Sequence, residues 1–191
     1  WAGSWGPFKV SIPCGECALS HDVILDTIEH ELSGLEVELE LKDWLSHWWK
    51  PILKGGWHAP IILVDGNIIS QGGALNRGVL TQAVIEAHAQ KVPLTGNIIY
   101  GKLNCPHCIR AKEYLKNAHI NYEYQDVVKS PRALYDMLAR VKPLIGAKTP
   151  VTVPQIWIGD THVGGCDELM ALQRSGELDG LLSANSEVAS A

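Results

Sequence analysis

Two periodicities of apolar residues run along this chain, and they alternate in the same order twice. In the first half, Phe8 to Ile12 has the pattern of a strand and runs into Pro13-Cys14-Gly15-Glu16-Cys17. Helical spacing follows from about Ala18 to Leu32, and Ser33-Gly34 stops it. Leu35, Val37, Leu39 and Leu41 alternate with Glu36, Glu38 and Glu40, which predicts a strand with one wet face. Asp43 can cap a helix carrying Trp44, Trp48 and Trp49, whose spacing makes one apolar face suited to packing. Ala59-Pro60, the apolar run Ile61 to Val64, the turn Asp65-Gly66-Asn67, a strand at Ile68-Ile69 and a helix from about Gly73 to Gln90 complete the half.

The second half repeats the order. Asn97 to Tyr100 predicts a strand, and Cys105-Pro106-His107-Cys108 opens a helix to about Ala118. Tyr122 to Val127 predicts a strand, Pro131 to Val141 a helix and Gln155 to Ile158 a strand after Val153-Pro154. The turn Gly159-Asp160-Thr161, a strand at His162-Val163 and Gly164-Gly165 precede a final helix, and Ser183 to Ala191 is expected to fray. The registers agree: Pro60, Ile62 and Val64 match Pro154, Ile156 and Ile158 at a constant offset. Each half therefore reads β-α-β-α-β-β-α, the thioredoxin plan. The expected fold class is α/β, with two tandem thioredoxin-like domains, each a four-stranded mixed sheet flanked by helices. The expected domains are 1–92 and 95–191, joined near Lys91 to Gly96, where Pro93 and Gly96 break the helix.

Charge separates the halves further. The net charge is −5, and all of it lies in residues 1–92; no Lys/Arg run occurs, which argues against nucleic acid as a partner. No apolar stretch is long enough to span a membrane. A cytoplasmic location is expected; the chain begins at Trp1, as a trimmed or processed product would, which leaves an upstream export or organelle signal open.

Four of the five cysteines form two C-x-x-C pairs, Cys14/Cys17 and Cys105/Cys108, a spacing that serves redox chemistry or a zinc half-site. A helix N-terminus offers unpaired N–H groups and a positive dipole end, and both stabilise a thiolate at Cys105. Cys108, one turn on, can resolve a mixed disulfide, and a protonated His107 would favour the Cys105 thiolate further. Pro154 is expected to be cis, leaving the Val153 N–H and C=O to pair with an extended peptide or glutathione backbone. Gly164-Gly165 allows close approach of a ligand. Asp167 and Glu168 stand where they can meet an ammonium group. Cys166 reads as a ligand-shell or buried thiol, or as a regulatory one, and His162 as a strand residue facing water.

Cys-Pro-His-Cys-Ile-Arg-Ala-Lys (105–112), Thr-Val-Pro-Gln-Ile-Trp-Ile (152–158) and Gly-Gly-Cys-Asp-Glu-Leu (164–169) resemble a bacterial glutaredoxin over about residues 96–182. The resemblance implies a glutathione-dependent thiol-disulfide oxidoreductase with Cys105 attacking. It implies that Lys102 pairs with the glycine carboxylate of glutathione, that Thr152 and Val153 hold its backbone, and that Cys166 and Asp167 hold the γ-glutamyl end. Glutaredoxins usually carry Tyr where His107 stands. Cys-Pro-His-Cys is similar to the tetrapeptide of periplasmic thioredoxin-like oxidases, which implies a more oxidising pair. Glutathione as co-substrate and disulfide-containing proteins are the implied partners, with no tightly bound cofactor and no metal.

The first half resembles a divergent glutaredoxin-like domain. Cys14 and Cys17 are expected to be redox-active and more reducing, because the Glu16 carboxylate works against a thiolate. Electrons would then run from Cys14/Cys17 to Cys105/Cys108, an arrangement similar to two-unit protein disulfide oxidoreductases. Pro60 to Ser70 is similar to the glutathione-recognising stretch of glutathione transferases, so Ser70 either holds a γ-glutamyl carboxylate or caps the last helix. Trp57 is a candidate substrate-facing aromatic. Two alternatives stand beside this reading: an iron-sulfur carrier, since Cys14-Gly15 resembles the start of monothiol glutaredoxin sites, and a non-catalytic docking role for the first half.

Overall fold

The computed structural model of the chain describes residues 2–5, 7–11, 14–146 and 148–188. It separates into two compact units, residues 1–87 and 88–191. Among the described residues no helix is long and apolar enough to cross a membrane.

In the first unit, β1 (Ala2–Trp5) and β2 (Phe8–Ser11) form an antiparallel hairpin. Ile12 and Pro13 lie outside the described residues. The helix α1 (Gly15–His30) follows, then the four-residue helices α2 (Trp44–His47) and α3 (Trp49–Ile52). A second hairpin pairs β3 (Ile61–Val64) with β4 (Asn67–Gln71), and α4 (Arg77–Lys91) closes the half. The unit boundary thus falls inside α4, ahead of the linker expected at 91–96.

The expected four-stranded sheet of the first half is not formed among its described residues, which hold two separate two-stranded sheets. Leu35 to Leu41 is not a strand. Alternation specifies which face a strand buries, but a ladder needs a neighbour to take its N–H and C=O groups. Here both hairpins pair within themselves, and the alternating face stays wet: Leu41 is 67% exposed. The tryptophan helix likewise breaks in two, with Trp48 and Trp49 about half exposed and so outside the core of this unit.

What holds the first unit is α1 against α4 and β3. Ile24, Ile62, Leu75 and Leu80 make its buried cluster. Arg77 pairs with Asp26 and Glu31, and the Thr81 hydroxyl donates to Glu31 at 2.6 Å. The Leu75 N–H donates to the buried Ser20 hydroxyl at 3.0 Å, so a polar atom inside the packing keeps a partner.

The second unit follows the expected plan closely. Its elements are β5 (Asn97–Gly101), α5 (Pro106–Asn117), β6 (Glu123–Asp126), α6 (Pro131–Ile145), β7 (Gln155–Ile158), β8 (Thr161–Gly164), α7 (Cys166–Ser175) and α8 (Glu177–Val188). The strands lie in the order β6-β5-β7-β8, with β5 and β6 parallel and the other pairs antiparallel. Of residues 183–191, expected to fray, 183–188 continue α8 and 189–191 lie outside the described residues.

Helices cover both faces of this sheet, and strand periodicity decides which side chain meets which layer. Ile99, Ile156 and Ile158 meet Ala111 and Leu115 of α5 and Leu169 of α7. Ile98, Tyr100 and Trp157 point the other way, onto Ala133, Met137 and Val141 of α6. That double burial explains why β7 is apolar at three of its four positions. Each large side chain so buried contributes about 1.5–3 kcal/mol.

A polar network anchors the α6 side. The Tyr100 hydroxyl donates to Asp136, which also accepts from Arg140 Nε at 3.1 Å. Arg140 reaches on to the Val92 carbonyl at 3.2 Å. Burial, then the Asp136 carboxylate, pushes the Tyr100 hydroxyl above its ordinary ionisation range. Tyr100→Phe should lower the stability of the second unit by about 1–2 kcal/mol, because Asp136 keeps Arg140 but loses its buried donor. Urea unfolding checks this, and an unchanged midpoint would reject it.

Candidate functional site

Both C-x-x-C pairs begin a helix in the same way. Cys14 and Cys105 are N-cap residues with extended backbone, at φ −135° and −98°. The sulfur takes the role that a hydroxyl usually plays there. Cys105 Sγ accepts the Cys108 N–H at 3.3 Å, and Cys14 Sγ accepts the Cys17 N–H at 3.4 Å. The first cysteine of each pair is therefore held by backbone dipoles at the positive end of its helix. Pro106 fits the first turn because its missing N–H has no partner to lose there.

Around Cys105 the second unit closes in. The thiol is buried and donates to the Val153 carbonyl at 3.7 Å, ahead of the cis bond to Pro154. Thr152 is exposed, and its carbonyl accepts from Gln155 Nε2 at 2.8 Å. Lys102 is exposed on the loop between β5 and α5, and its backbone N–H serves Cys108. Cys108 is fully buried, and that burial, with the hydrogen bond to Cys105, pushes its thiol up to about 11. With Cys105 reduced, Cys108 is a thiol at neutral pH. Iodoacetamide at pH 7–8 should therefore label Cys105 and spare Cys108, with Cys108 labelling rising only as the pH nears 11. Peptide mass spectrometry checks this; equal labelling at pH 7 would reject it.

The far wall is the start of α7. Gly164 has φ +103°, a conformation that suits glycine, and a Cβ there would meet Glu168 at 3.2 Å. Gly165 is the N-cap of α7, and its N–H donates to the Glu168 carboxylate at 3.0 Å. Glu168, expected to meet an ammonium group, is instead engaged in capping its own helix. Asp167 is exposed but pairs with Arg110 of α5. Cys166 is buried, and its sulfur accepts from Arg110 Nε at 3.0 Å. His107 is exposed on the first turn of α5. His162, expected to face water, is half-buried on Trp157 with ring centroids 4.4 Å apart, and bonds Gln155 Oε1 at 2.8 Å. Burial holds its imidazolium below the ordinary range.

Three residues near the centre escape sequence reading. Arg110 ties α5 to α7 through Cys166 and Asp167. Gly101 has no room for a side chain: an added Cβ would lie 2.9 Å from the Tyr124 ring and 3.3 Å from Cys108 Sγ. The Tyr124 hydroxyl is buried there without a hydrogen-bond partner among the described residues, and the Lys112 ammonium lies 4.3 Å from the centre of its ring. The Cys-x-x-Cys-x-Arg spacing is the one signal that could have flagged Arg110.

In the first unit, Cys14 and Cys17 are both partly exposed. The Cys14 thiol donates to the Glu16 carboxylate at 3.5 Å. Burial, then the hydrogen bond to Cys14, pushes Cys17 up to about 11. A cleft of about 770 Å³ opens beside Cys17, with Trp44, Lys50 and Pro60 in its wall. Ala59–Pro60 is cis, as is Val153–Pro154. Ser70 sits in β4 opposite Ile62, not at a helix start; α4 begins at Arg77, and the Asn76 side chain accepts from the Val79 N–H at 3.3 Å. Trp57 is exposed, and its N–H donates to Gln71 Oε1 at 2.9 Å.

A mixed sheet between helix layers, with a dithiol at the start of the first covering helix and a cis-proline strand opposite, defines a thiol-disulfide oxidoreductase of thioredoxin-like fold. The glutaredoxin family model matches residues 97–163. A glutaredoxin of Pseudomonas aeruginosa is 45% identical over 87 residues, which are 46% of this chain and 95% of that protein. Glutaredoxin 3 of Escherichia coli is 38% identical over 84 residues, 44% of this chain and 93% of its own length. Among solved structures, a buckwheat glutaredoxin-glutathione complex is 23% identical with a TM-score of 0.47, covering 56% of this chain and 94% of that one. Through its second unit, the chain belongs to the glutaredoxin family.

Proposed function

We propose that the second unit is glutathione-dependent and exchanges disulfides through Cys105. The observation that carries this is Cys105 Sγ, held by the Cys108 N–H and facing the Val153 carbonyl. The Cys105 thiolate attacks one sulfur of a protein–glutathione disulfide, and the protein leaves as a thiolate that takes a proton. Cys105 is then bonded to glutathione. A second glutathione thiolate attacks that bond, releasing glutathione disulfide and restoring Cys105; alternatively Cys108 attacks, releasing glutathione and closing the Cys105–Cys108 disulfide. Lys102 would pair with the glycine carboxylate, Thr152 and Val153 with the backbone, and Cys166 and Asp167 with the γ-glutamyl end, with Gly164 and Gly165 allowing its close approach. Asp167 already holds a cation in Arg110, which supports an ammonium contact there.

Cys108→Ser tests the reading. With glutathione disulfide it should accumulate one glutathione per chain, bound at Cys105, because the internal resolving thiol is gone. Intact-mass spectrometry reads this, and absence of the adduct would count against glutathione use.

The first unit is read as a divergent relative with its own redox pair. The support is the shared N-cap geometry of Cys14 and Cys105. Its domain range of 1–92, and electron relay from Cys14/Cys17 to Cys105/Cys108, belong to this proposal. A carboxylate 3.5 Å from the Cys14 sulfur opposes negative charge on it, which supports the more reducing potential there. Potentials measured for the two pairs in the opposite order would reject the relay.

A further inference from the structure

We propose that His107, Cys166 and Asp167 form an exchangeable site for a thiophilic divalent cation of the zinc class, on the rim of the Cys105 centre. One donor atom from each residue lies within 4.8 Å of the other two. His107 comes from the first turn of α5, and Cys166 and Asp167 open α7. Tetrahedral zinc, with bonds of about 2.0–2.3 Å, sets its ligand atoms roughly 3.3–3.8 Å apart. The trio needs only a modest contraction. Cys166 is buried, whereas His107 and Asp167 are exposed, so His107 can turn toward it and Asp167 can do so once Arg110 lets go.

A second observation points the same way: two of the three donors, Cys166 and Asp167, already hold a cationic side chain. The Arg110 guanidinium donates to Cys166 Sγ from Nε at 3.0 Å and pairs with the Asp167 carboxylate. Its side chain is half exposed on a long stem, so it can swing into water. On binding, Cys166 gives its proton to solvent, and thiolate, carboxylate and imidazole complete three of four positions. Water fills the fourth. A sulfur, nitrogen and oxygen set selects zinc-like ions over magnesium or calcium. Two helix N-termini oppose the positive charge, which makes the site exchangeable and not structural. Cys166 and Asp167 also belong to the proposed glutathione site, so metal and glutathione exclude each other there. That consequence rests on the glutathione reading; metal binding itself does not.

The test is a cobalt(II) titration without glutathione. The full chain carries Cys14, Cys17, Cys105 and Cys108 all changed to Ser, so that Cys166 is the one thiol left. One cobalt per chain should bind with a thiolate charge-transfer band, and added zinc should displace it. Cys166→Ser on that background should erase the band. His107→Tyr and Asp167→Asn should each weaken binding about tenfold or more, at least as much as loss of an outer-shell partner does. Arg110→Met should strengthen binding, because the competing cation is gone. No band, a band that survives Cys166→Ser, or weaker binding in Arg110→Met would each overturn the proposal. The wild-type chain with both C-x-x-C pairs oxidised is the second measurement. A band there supports the site without the four serines, and its absence overturns it.

Discussion

Cys105→Ser should abolish glutathione-coupled disulfide reduction, a loss of more than about a hundredfold, or some 2.7 kcal/mol of barrier. The substitution is close to a pure removal of chemistry. Serine is a preferred N-cap, so its hydroxyl can accept the residue-108 N–H that Cys105 Sγ now takes, and α5 should start where it does. What disappears is the thiolate, and an alkoxide does not form at neutral pH in its place. Cys14→Ser, assayed beside it, should leave most of the activity toward a small glutathione mixed disulfide. The outcome that would sink the assignment is the reverse: activity that survives Cys105→Ser and falls with Cys14→Ser.

Leu115→Ala should cost the second unit about 2–5 kcal/mol. That is a large share of the roughly 5–15 kcal/mol that holds a domain together. Leu115 is fully buried on α5, in one cluster with Ile99, Ile156 and Leu169. It therefore anchors the helix that carries Cys105 and Cys108 to the sheet and to α7. Truncation leaves a cavity beneath that helix which the three packed elements cannot close. Leu115→Met keeps the volume and should cost less than about 1.5 kcal/mol. Urea unfolding followed through amide signals of the second unit measures both. Equal midpoints for Ala and Met would show that α5 is not held by this contact.

The second unit was legible because its signals are local or periodic. Gln155 to Ile158 is a strand at its expected bounds, and Ser130 caps α6 with Pro131 behind it. Cys105 sits at a helix start because C-x-x-C beside Pro106 carries that geometry in its own residues. The misses share another cause: each is decided by the partner that folding brings against the residue, which periodicity and composition do not name. Leu35 to Leu41 has a strand's alternation but no neighbouring ladder. His162 looks like a wet strand residue until Trp157 and Gln155 come up against it. Asp167 and Glu168 look equivalent in sequence, yet Arg110 claims one and the Gly165 N–H the other. The crowding of Gly101, Tyr124 and Cys108 arises only when β5, β6 and α5 meet.

The two sulfur N-caps give this chain a pair of built-in reporters. The amide protons of Cys17 and Cys108 each point at a single sulfur atom. Anything that changes the charge or bonding of Cys14 changes the field at the first proton, and likewise for Cys105 and the second. The two resonances lie on different units and are separable by isotope labelling. A nitrogen-proton spectrum recorded during a redox titration would therefore follow both centres in one sample, each by its own line, without a dye, a cofactor or a coupled enzyme.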